Sequence, residues 1–284
     1  MSKFNYDNSD EKLRRYIKEG RGQGVGAKYE PWLNVHSIAS RGRVSRVPGW
    51  KTGRVHHFLS DNETRYFYLC EFSDAVIDIR EHYPLMDLYE MIDILDDDLI
   101  KKLTNRKTGT MQILTSTFLL TVRDEHGQEL HFARNIKEAR DLDKNSVIER
   151  YEITRRYWQE KCVPWALVVP TEINVVRAKN IEWLHTAKRL NDWGYSEQQV
   201  ADEINFLVEL LMGGRGTIKN ALDRFESEIS KEQGKGMLLL KHLLATKRIR
   251  IDMDKPIDLN RSVESIDFID SNPKGSELST NAFS

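Results

Sequence analysis

The sequence predicts an α/β fold for the N-terminal part of the chain and a helical fold for the C-terminal part. Two apolar, β-rich runs, ILTSTFLLTV and ELHFARNIK, flank a polar turn, which predicts a pair of strands. A helical pattern followed by the apolar run VPWALVV adds a helix and a buried strand, as in mixed α/β domains. After about residue 171 the apolar residues recur at helical spacing. We therefore expect domains over 1–170 and 171–270, and a disordered tail over 271–284.

The N-terminal segment is basic, although the whole chain has a formal net charge of -1. Its first 58 residues hold twelve Lys and Arg residues against five Asp and Glu residues. This excess favours binding of phosphate groups, and basic side chains near aromatic ones are typical of nucleic-acid contacts and also of solvated surfaces. The predicted DNA-binding residues are Arg21, Arg41, Arg43, Arg46, Lys51 and Arg54.

A glycine-rich stretch, GRGQGVG, surrounds Arg21. It lacks the Gly-Lys-Ser/Thr ending of a nucleotide-binding P-loop and follows no predicted strand, which disfavours nucleotide binding. Two interpretations remain, a flexible turn and a loop whose backbone and arginine contact DNA phosphates.

Cysteine usage and hydropathy indicate the compartment. Cys70 and Cys162 lie in apolar runs, which predicts buried thiols in a reducing environment rather than a disulfide or a zinc site. The sequence shows neither a signal peptide nor a membrane-spanning run, so we expect a cytoplasmic protein with no membrane partner. His56 and His57 are adjacent, and neighbouring strand residues point to opposite faces, so one buried and one exposed imidazole are expected.

A helix is predicted over the segment SDNETRYFYLCEF, with Ser60 as its N-cap and Glu63 completing a capping box. The run VIDIREHYPL after it predicts a strand. The two β-rich runs cover 113–122 and 129–137, and Asp124-Glu125-His126-Gly127 between them predicts a hairpin turn.

The second β-rich run carries Asn135 and Lys137 two residues apart, so a strand places both side chains on one face. A lysine beside an acceptor group is the ending of the PD-(D/E)xK nuclease pattern, which predicts a restriction-endonuclease-like N-terminal domain. Such nucleases hold magnesium with carboxylates and use the lysine to stabilise the attacking water or the developing charge. The aspartate of the first strand in this pattern is replaced by Thr117, whose neutral hydroxyl is a poor magnesium ligand.

The predicted catalytic positions are therefore Glu63, Thr117, Asn135 and Lys137. Glu63 and Asn135 are the remaining candidates for metal ligands, and we expect weak or absent magnesium binding. Other acids nearby do not fill the position of Thr117 convincingly; these are Asp124, Glu125, Glu129 and Glu138. The acidic run at Asp96–Asp98 is more typical of a solvated helix edge than of a metal site.

The remaining elements follow from periodicity. NSVIERYEITRRYWQEK predicts a helix capped by Asn145 or Ser146, with Val147, Tyr151 and Trp158 along one side. In the C-terminal part, SEQQVADEINFLVELLM, TIKNALDRFESEI and KGMLLLKHLLA predict three helices. IRIDMDKPIDL then alternates as a strand and turns at Asp254-Lys255-Pro256, so the C-terminal domain is predicted to be winged-helix-like.

Seven strings of the chain closely resemble the TnsA family, the endonuclease subunits of heteromeric cut-and-paste bacterial transposases. The strings span roughly residues 17–186 and are IKEGRGQG, PWL, KTGRVHH, LSD, VIDIREHYPL, RRYWQEK and KNIEWL. The resemblance implies a nuclease-fold domain that cuts 5′ strands at transposon ends with a divalent metal. It also implies three partners: transposon-end DNA, an integrase-like transposase subunit, and an ATP-dependent transposition regulator that the C-terminal domain engages.

The resemblance also implies the family's site at matching positions. Glu63 stands at the family's glutamate and Lys137 at its lysine, whereas Thr117 replaces the aspartate, Asn135 the glutamine, and Thr154 a further glutamate. This pattern favours an assembly subunit that binds DNA and partners while its cleavage is lost or weakened. The alternative is an active 5′-strand endonuclease that uses Glu63, Asn135 and Lys137 with a substitute ligand.

Overall fold

The computed structural model describes residues 10–37, 42–88, 90–91, 103, 113–138, 141–213, 215–230 and 232–268. These residues form two compact units, the first ending at Ile173 and the second beginning at Asn174. The expected boundary is after residue 170. Arg41, the acidic run Asp96–Asp98 and the expected tail over 271–284 lie outside the described residues.

The first unit contains three helices and six strands among its described residues. The helices are α1 (Asp10–Lys18), α2 (Asp61–Phe72) and α3 (Asn145–Glu160). Strands β1 (Ser45–Pro48) and β2 (Val55–Phe58) form an antiparallel hairpin. The other strands are β3 (Val76–Pro84), β4 (Thr115–Arg123), β5 (Glu129–Ile136) and β6 (Trp165–Val168).

Strands β3 to β6 form one mixed sheet in the order β3-β4-β5-β6. Strands β3 and β5 run antiparallel to β4, and β6 runs parallel to β5. A parallel neighbour requires a crossover connection, which α3 supplies between β5 and β6. The predicted α/β layering is confirmed, and a mixed sheet of this kind fits an endonuclease-like N-terminal domain.

The sheet lies between α2 and α3. Successive residues of a strand face opposite sides, so apolar residues of β4 contact both helices. On one side Phe118 contacts the rings of Phe58 and Tyr66, with centroid distances of 6.0 and 5.5 Å. On the other side a buried apolar cluster joins the sheet to α3. Its members from β4, β5 and α3 are Leu119, Ala133, Ile153, Tyr157 and Trp158.

The predicted hairpin turn between β4 and β5 is confirmed. The Asp124 carboxylate accepts hydrogen bonds from the amides of His126 and Gln128, at 2.9 and 2.8 Å. Gly127 has φ of +80°, a left-handed conformation that glycine adopts without steric cost. The predicted cap of α3 is wrong, because the helix begins at Asn145 with Lys144 as its N-cap residue and without a side-chain capping bond.

The second unit is mainly helical in its described residues. Its helices are α4 (Val175–His185), α5 (Ala201–Gly213), α6 (Ile218–Phe225) and α7 (Lys235–Ala245). Ser196 and Gln199 exchange capping-box hydrogen bonds in the turn before α5. The segment TIKNALDRFESEI is helical only in part, because α6 ends at Phe225 and a π-type turn follows it, where Ile229 is exposed.

A winged-helix domain is not confirmed for this unit. The strand before Asp254-Lys255-Pro256 does not pair with the residues that directly follow this turn. Instead β7 (Ile249–Arg250) pairs with β8 (Asp267–Phe268), and each strand is two residues long. Asp254 accepts hydrogen bonds from Asn174 and Arg177, which holds the turn in the same unit as α4.

Among the described residues, no helix combines the length and the apolar character needed to cross a bilayer.

Candidate active site

Glu63 lies in the first turn of α2. Ser60 is the N-cap, as predicted, and its hydroxyl accepts a hydrogen bond from the Glu63 amide at 3.2 Å. The Glu63 carboxylate accepts a hydrogen bond from the Leu59 amide at 2.7 Å. In a capping box it would accept the amide of the N-cap residue itself, which is Ser60 here. One carboxylate oxygen of the predicted metal ligand therefore helps to hold the entry of the helix.

Thr117 lies where the β4–β5 ladder ends. The outermost paired residues are Phe118 and Arg134, so Thr117 and Asn135 are the next residues outwards. The Thr117 hydroxyl accepts a hydrogen bond from the Ile136 amide at 3.0 Å, and the side chain is buried. This oxygen thus satisfies a backbone amide of the neighbouring strand.

Asn135 is also engaged within the sheet. Its amide nitrogen donates to the Thr115 carbonyl at 3.3 Å, and its amide oxygen accepts the indole N–H of Trp165 at 2.8 Å. The oxygen that was expected to bind a metal therefore already accepts a hydrogen bond from β6.

Lys137 follows the last residue of β5. Its ammonium lies 3.1 Å from the Asp141 carboxylate, which also accepts a hydrogen bond from Lys144 at 2.6 Å. The hydrogen bonds from Lys144 and Lys137 lower the pKa of Asp141 to about 2, so this acid is ionised at neutral pH. Sequence reasoning did not identify Asp141 as an acid near the predicted lysine, although its spacing of four residues was a usable signal.

Among the described residues, Glu63 is not linked by a polar contact to the other predicted site residues. None of the hydrogen bonds or ion pairs of the described residues joins Glu63 to Thr117, Asn135 or Lys137. Tyr151 of α3 lies near two of the acids. Burial raises the pKa of Tyr151 to about 12, and the negative charges of Glu63 and Asp141 raise it as well.

Two further contacts define the surroundings of the site. Asn62, beside Glu63, donates a 2.5 Å hydrogen bond to Glu138, which fixes the start of α2 to the residue after Lys137. Thr154 is buried in α3, and its hydroxyl donates to the Arg150 carbonyl at 2.9 Å within the same helix. This back-bond occupies the hydroxyl of the residue that is predicted to replace a further glutamate of the family.

His82 was not predicted as part of the site, and the structure places it beside Glu63. The two side chains approach to 3.9 Å, between the imidazole Nε2 and the carboxylate Oε2. His82 is buried and has φ of +50°, which is unusual for a residue other than glycine within a strand. A backbone conformation of this kind has no signal in the sequence.

A buried network holds the β1–β2 hairpin on β3. Glu81 accepts hydrogen bonds from Arg54 and His56, and the other ring nitrogen of His56 lies 2.8 Å from the Thr52 hydroxyl. Burial by itself raises the pKa of Glu81, but His56 and Arg54 outweigh it and hold the pKa well below its usual range. His56 is buried and His57 half-buried, so the adjacent histidines do not present a common exposed face.

Two of the predicted DNA-binding residues make contacts within the fold. The Arg54 guanidinium pairs with Glu81 and stacks 5.0 Å from the Tyr29 ring, and the Lys51 ammonium donates to the Ser73 carbonyl. These two cations therefore stabilise the fold. Within the described residues of the predicted set, Arg43 and Arg46 are exposed.

Arg21 is also committed to internal contacts. Its guanidinium lies 3.7 Å from the Tyr16 ring centroid and donates to the Trp32 carbonyl and the Ser37 hydroxyl. The glycine-rich loop packs against β3, since a Cβ at Gly22 would lie 2.3 Å from Pro84. These contacts agree better with a structured turn than with a loop that wraps phosphate.

The cysteines differ from each other. Cys70 is buried as predicted, and burial raises the pKa of its thiol to about 12. The prediction for Cys162 is wrong, because this residue is exposed in the turn after α3, where φ is +55°.

A mixed sheet with a helix on each face fits an endonuclease-like N-terminal domain, which a mainly helical unit follows in the chain. Two family models match the chain: TnsA-like endonuclease N terminal over residues 73–169, and TnsA endonuclease C terminal over residues 172–253. The chain is 35% identical over 264 residues to the transposon Tn7 transposition protein TnsA of Escherichia coli, an alignment that covers 93% of this chain and 94% of that relative. The chain belongs to the TnsA family of transposase endonuclease subunits.

Endonucleases of this family generally depend on divalent metal ions, which is compatible with magnesium. The residues at this site do not fit a magnesium ion, which prefers several oxygen ligands in octahedral geometry, with carboxylates among them. Glu63 supplies one carboxylate, and the oxygens of Thr117 and Asn135 already accept hydrogen bonds. Among the described residues, no three His, Cys, Asp or Glu side chains come together as metal ligands.

Proposed function

We propose that this chain is the TnsA-like subunit of a heteromeric transposase at transposon ends, and that its 5′-strand cleavage is lost or weakened. Its remaining role is to bind DNA and to hold the integrase-like transposase and the ATP-dependent regulator in one assembly. The proposal rests on family membership and on one observation at the site. Thr117 stands at the family's aspartate, and its hydroxyl accepts a hydrogen bond from the Ile136 amide.

The chemistry supports this proposal. A two-metal or one-metal nuclease needs carboxylates to hold the ion that stabilises the attacking and leaving oxygens. A threonine hydroxyl carries no charge, and an engaged asparagine oxygen adds little. Lys137 is paired with Asp141, so its ammonium is partly neutralised. Thr117, Asn135 and Lys137 thus each contact a partner within the fold.

A nicking assay tests the proposal. Labelled transposon ends are incubated with this chain, the partner transposase and the regulator, because an isolated subunit of an obligate complex can be inactive for other reasons. We expect 3′-strand cleavage by the transposase and little or no 5′-strand cleavage. Efficient 5′ nicking that disappears in a Lys137→Ala variant would contradict the proposal.

A second candidate function is an active 5′-strand endonuclease with a substitute ligand. Asp141 favours it, because this ionised carboxylate lies 3.1 Å from the Lys137 ammonium. The charges of Asp141 and Glu63 both raise the pKa of Tyr151, so the two acids lie near the same side chain. In that case Asp141→Asn abolishes 5′ nicking as fully as Glu63→Gln does. Asp143→Asn, a change at an exposed acid two residues away, is the matched control.

The division of partners between the two domains is also part of the proposal. The basic N-terminal segment binds DNA phosphates, with the exposed Arg43 and Arg46 as its best-supported contacts. The C-terminal unit binds the regulator. Its α6 and the turn after it carry Asp223, Glu226 and Glu228 beside Lys219 and Arg224, so this surface suits a protein partner at least as well as DNA.

A further inference from the structure

Two basic segments of the second unit lie against each other at the ends of α4 and α7. Residues 185–189 and 241–248 contain five Lys and Arg residues and neither Asp nor Glu. We call these five residues the basic seam; they are Lys188, Arg189, Lys241, Lys247 and Arg248. Like charges that are collected in one place repel each other and oppose folding, so a partner of opposite charge is expected to offset them.

Hydrogen bonds join the two segments directly. The Lys188 ammonium donates to the Ala245 carbonyl at 2.8 Å, and Nδ1 of His242 lies 3.0 Å from the Ala187 carbonyl oxygen. Burial lowers the pKa of His242, and the positive charges of Arg248 and Lys188 lower it as well. Cations from both segments are therefore close to the same imidazole.

The basic seam is short of negative charge. The Lys241 ammonium lies 4.3 Å from the centroid of the Trp183 ring on α4, and burial lowers the pKa of Lys241. Among the residues that the structure describes, neither Lys241 nor Arg248 is part of an ion pair. Glu197 is an acid that reaches the seam, 3.7 Å from the His242 ring, and one carboxylate cannot neutralise five cations.

Stabilisation of helix ends explains part of the basic seam. Cations near a helix C-terminus interact favourably with the helix dipole, and Lys188 has this role because it binds the last carbonyl of α7. Each helix C-terminus carries only about half a negative charge, so the ends of α4 and α7 together offset about one of the five positive charges. Most of the positive charge is left without a structural purpose.

The seam is accessible, and its charge contrasts with that of a neighbouring helix in the same unit. Arg189 and Arg248 are exposed, and the three lysines are half-buried. Helix α5 carries three acids and neither Lys nor Arg. The positive charge of the unit is thus concentrated at the seam, and a concentrated basic surface is typical of proteins that bind nucleic-acid phosphates.

We propose that the basic seam of the C-terminal unit binds the phosphate backbone of duplex DNA. This contact is additional to that of the basic N-terminal segment. It rests on the proposed function, which brings this subunit to transposon-end DNA, a polyanion with one charge per ~1.7 Å of helix axis. Phosphate contacts carry no base information, so the seam positions the subunit on DNA and does not select a sequence.

Fluorescence anisotropy of a labelled duplex, titrated with the full chain at several salt concentrations, tests the proposed contact. The double variant Arg189→Gln/Arg248→Gln removes two exposed cations of the seam. We expect the slope of log K against log salt concentration to become shallower by about 2, since each phosphate contact contributes about 0.9. Duplexes of unrelated sequence should lose affinity to the same extent.

The matched control is Lys219→Gln/Arg224→Gln, which removes the same charge from two exposed residues of α6. This variant should keep the slope of the unmodified chain. An unchanged slope in the seam variant overturns the inference and leaves an acidic protein surface as the partner of the seam. An equal change in the control also overturns it, because the effect would then follow total charge.

Acetylation of the unmodified chain is a second measurement, which does not depend on how the variants fold. Bound DNA should protect Lys241 and Lys247 from acetylation, read by mass spectrometry, and should leave Lys219 reactive. Equal labelling with and without DNA contradicts the inference. If the full chain binds no duplex, the DNA-binding part of the proposed function fails too, whereas DNA binding that the seam variant leaves unchanged refutes this inference alone.

Discussion

At the scale of single residues, the site differs from a magnesium-dependent nuclease in where its polar atoms are used. The hydroxyl of Thr117 accepts a backbone amide, and the amide of Asn135 connects a carbonyl of β4 to an indole of β6. Sequence reasoning identified these positions, because residue type and spacing on a strand are visible in the sequence. It did not identify Asp141, although this acid follows Lys137 by four residues, and it could not identify His82, since a left-handed φ turns this residue towards Glu63.

Magnesium binding is the first residue-scale prediction. With a single carboxylate whose Oε2 accepts the Leu59 amide, the site should bind Mg²⁺ weakly or not at all. Calorimetry measures this directly. Micromolar Mg²⁺ binding that is abolished by Glu63→Ala would show that the remaining groups suffice.

A second prediction concerns the buried ion pair of Arg54 and Glu81. Replacing Arg54 with Met removes one of the two basic side chains that bind the buried Glu81 carboxylate and leaves His56 in place, so we expect the free energy of unfolding to fall by about 3 kcal/mol. Urea denaturation at neutral pH measures the change. Arg43→Met, at an exposed arginine, is the control and should change the stability by less than about 0.5 kcal/mol.

The same pair predicts the sign of the pH dependence. The pKa of Glu81 is lower in the folded chain than in the unfolded one, so its stabilising contribution is fully present above the ordinary carboxyl pKa. This contribution is lost as the pH falls below that value. Glu81→Gln should therefore flatten the acid limb of a stability profile, and an unchanged limb would contradict the assigned pairing.

At the scale of elements, local signals predicted most of the helices and strands of the first unit. The Ser60 cap, the turn at Asp124–Gly127 and the apolar run of β4 are each visible in neighbouring residues of the chain. The error in the strand pairing of the second unit arose because a distant segment supplies the partner strand. The β7 strand pairs with 267–268 rather than with the residues after its own turn, and no local pattern reports that choice.

The hairpin turn supplies an element-scale prediction. Gly127 has φ of +80° and open space around its Cα, so Gly127→Ala should destabilise the fold through backbone strain alone, by about 1 kcal/mol. Gly213, at the end of α5, has open space as well and lies in the helix, so Gly213→Ala should be neutral or stabilising. Thermal melts of the two variants compare them, and equal effects would contradict this explanation.

At the scale of the whole molecule, the chain consists of two compact units that correspond to the two family models. We expect a truncation after Ile173 to keep DNA binding that weakens with salt, because phosphate contacts release counterions. The same truncation should lose association with the regulator. Circular dichroism checks that the shortened chain folds, and retention of regulator binding would overturn the division of roles.

The proposed function holds that 5′-strand cleavage by this subunit is lost or weakened. If the transposase joins 3′ ends while 5′ strands stay intact, the element remains attached to its donor, and replication yields a cointegrate instead of a simple insertion. Three changes together, Thr117→Asp, Asn135→Gln and Thr154→Glu, should shift products towards simple insertions, because residues of one site act as a unit.

Long-read sequencing of donor–target junctions is the most direct measurement of this claim. We expect mostly cointegrates from the unmodified protein and more simple insertions from the triple variant. Mostly simple insertions from the unmodified protein, lost on Lys137→Ala, would contradict it.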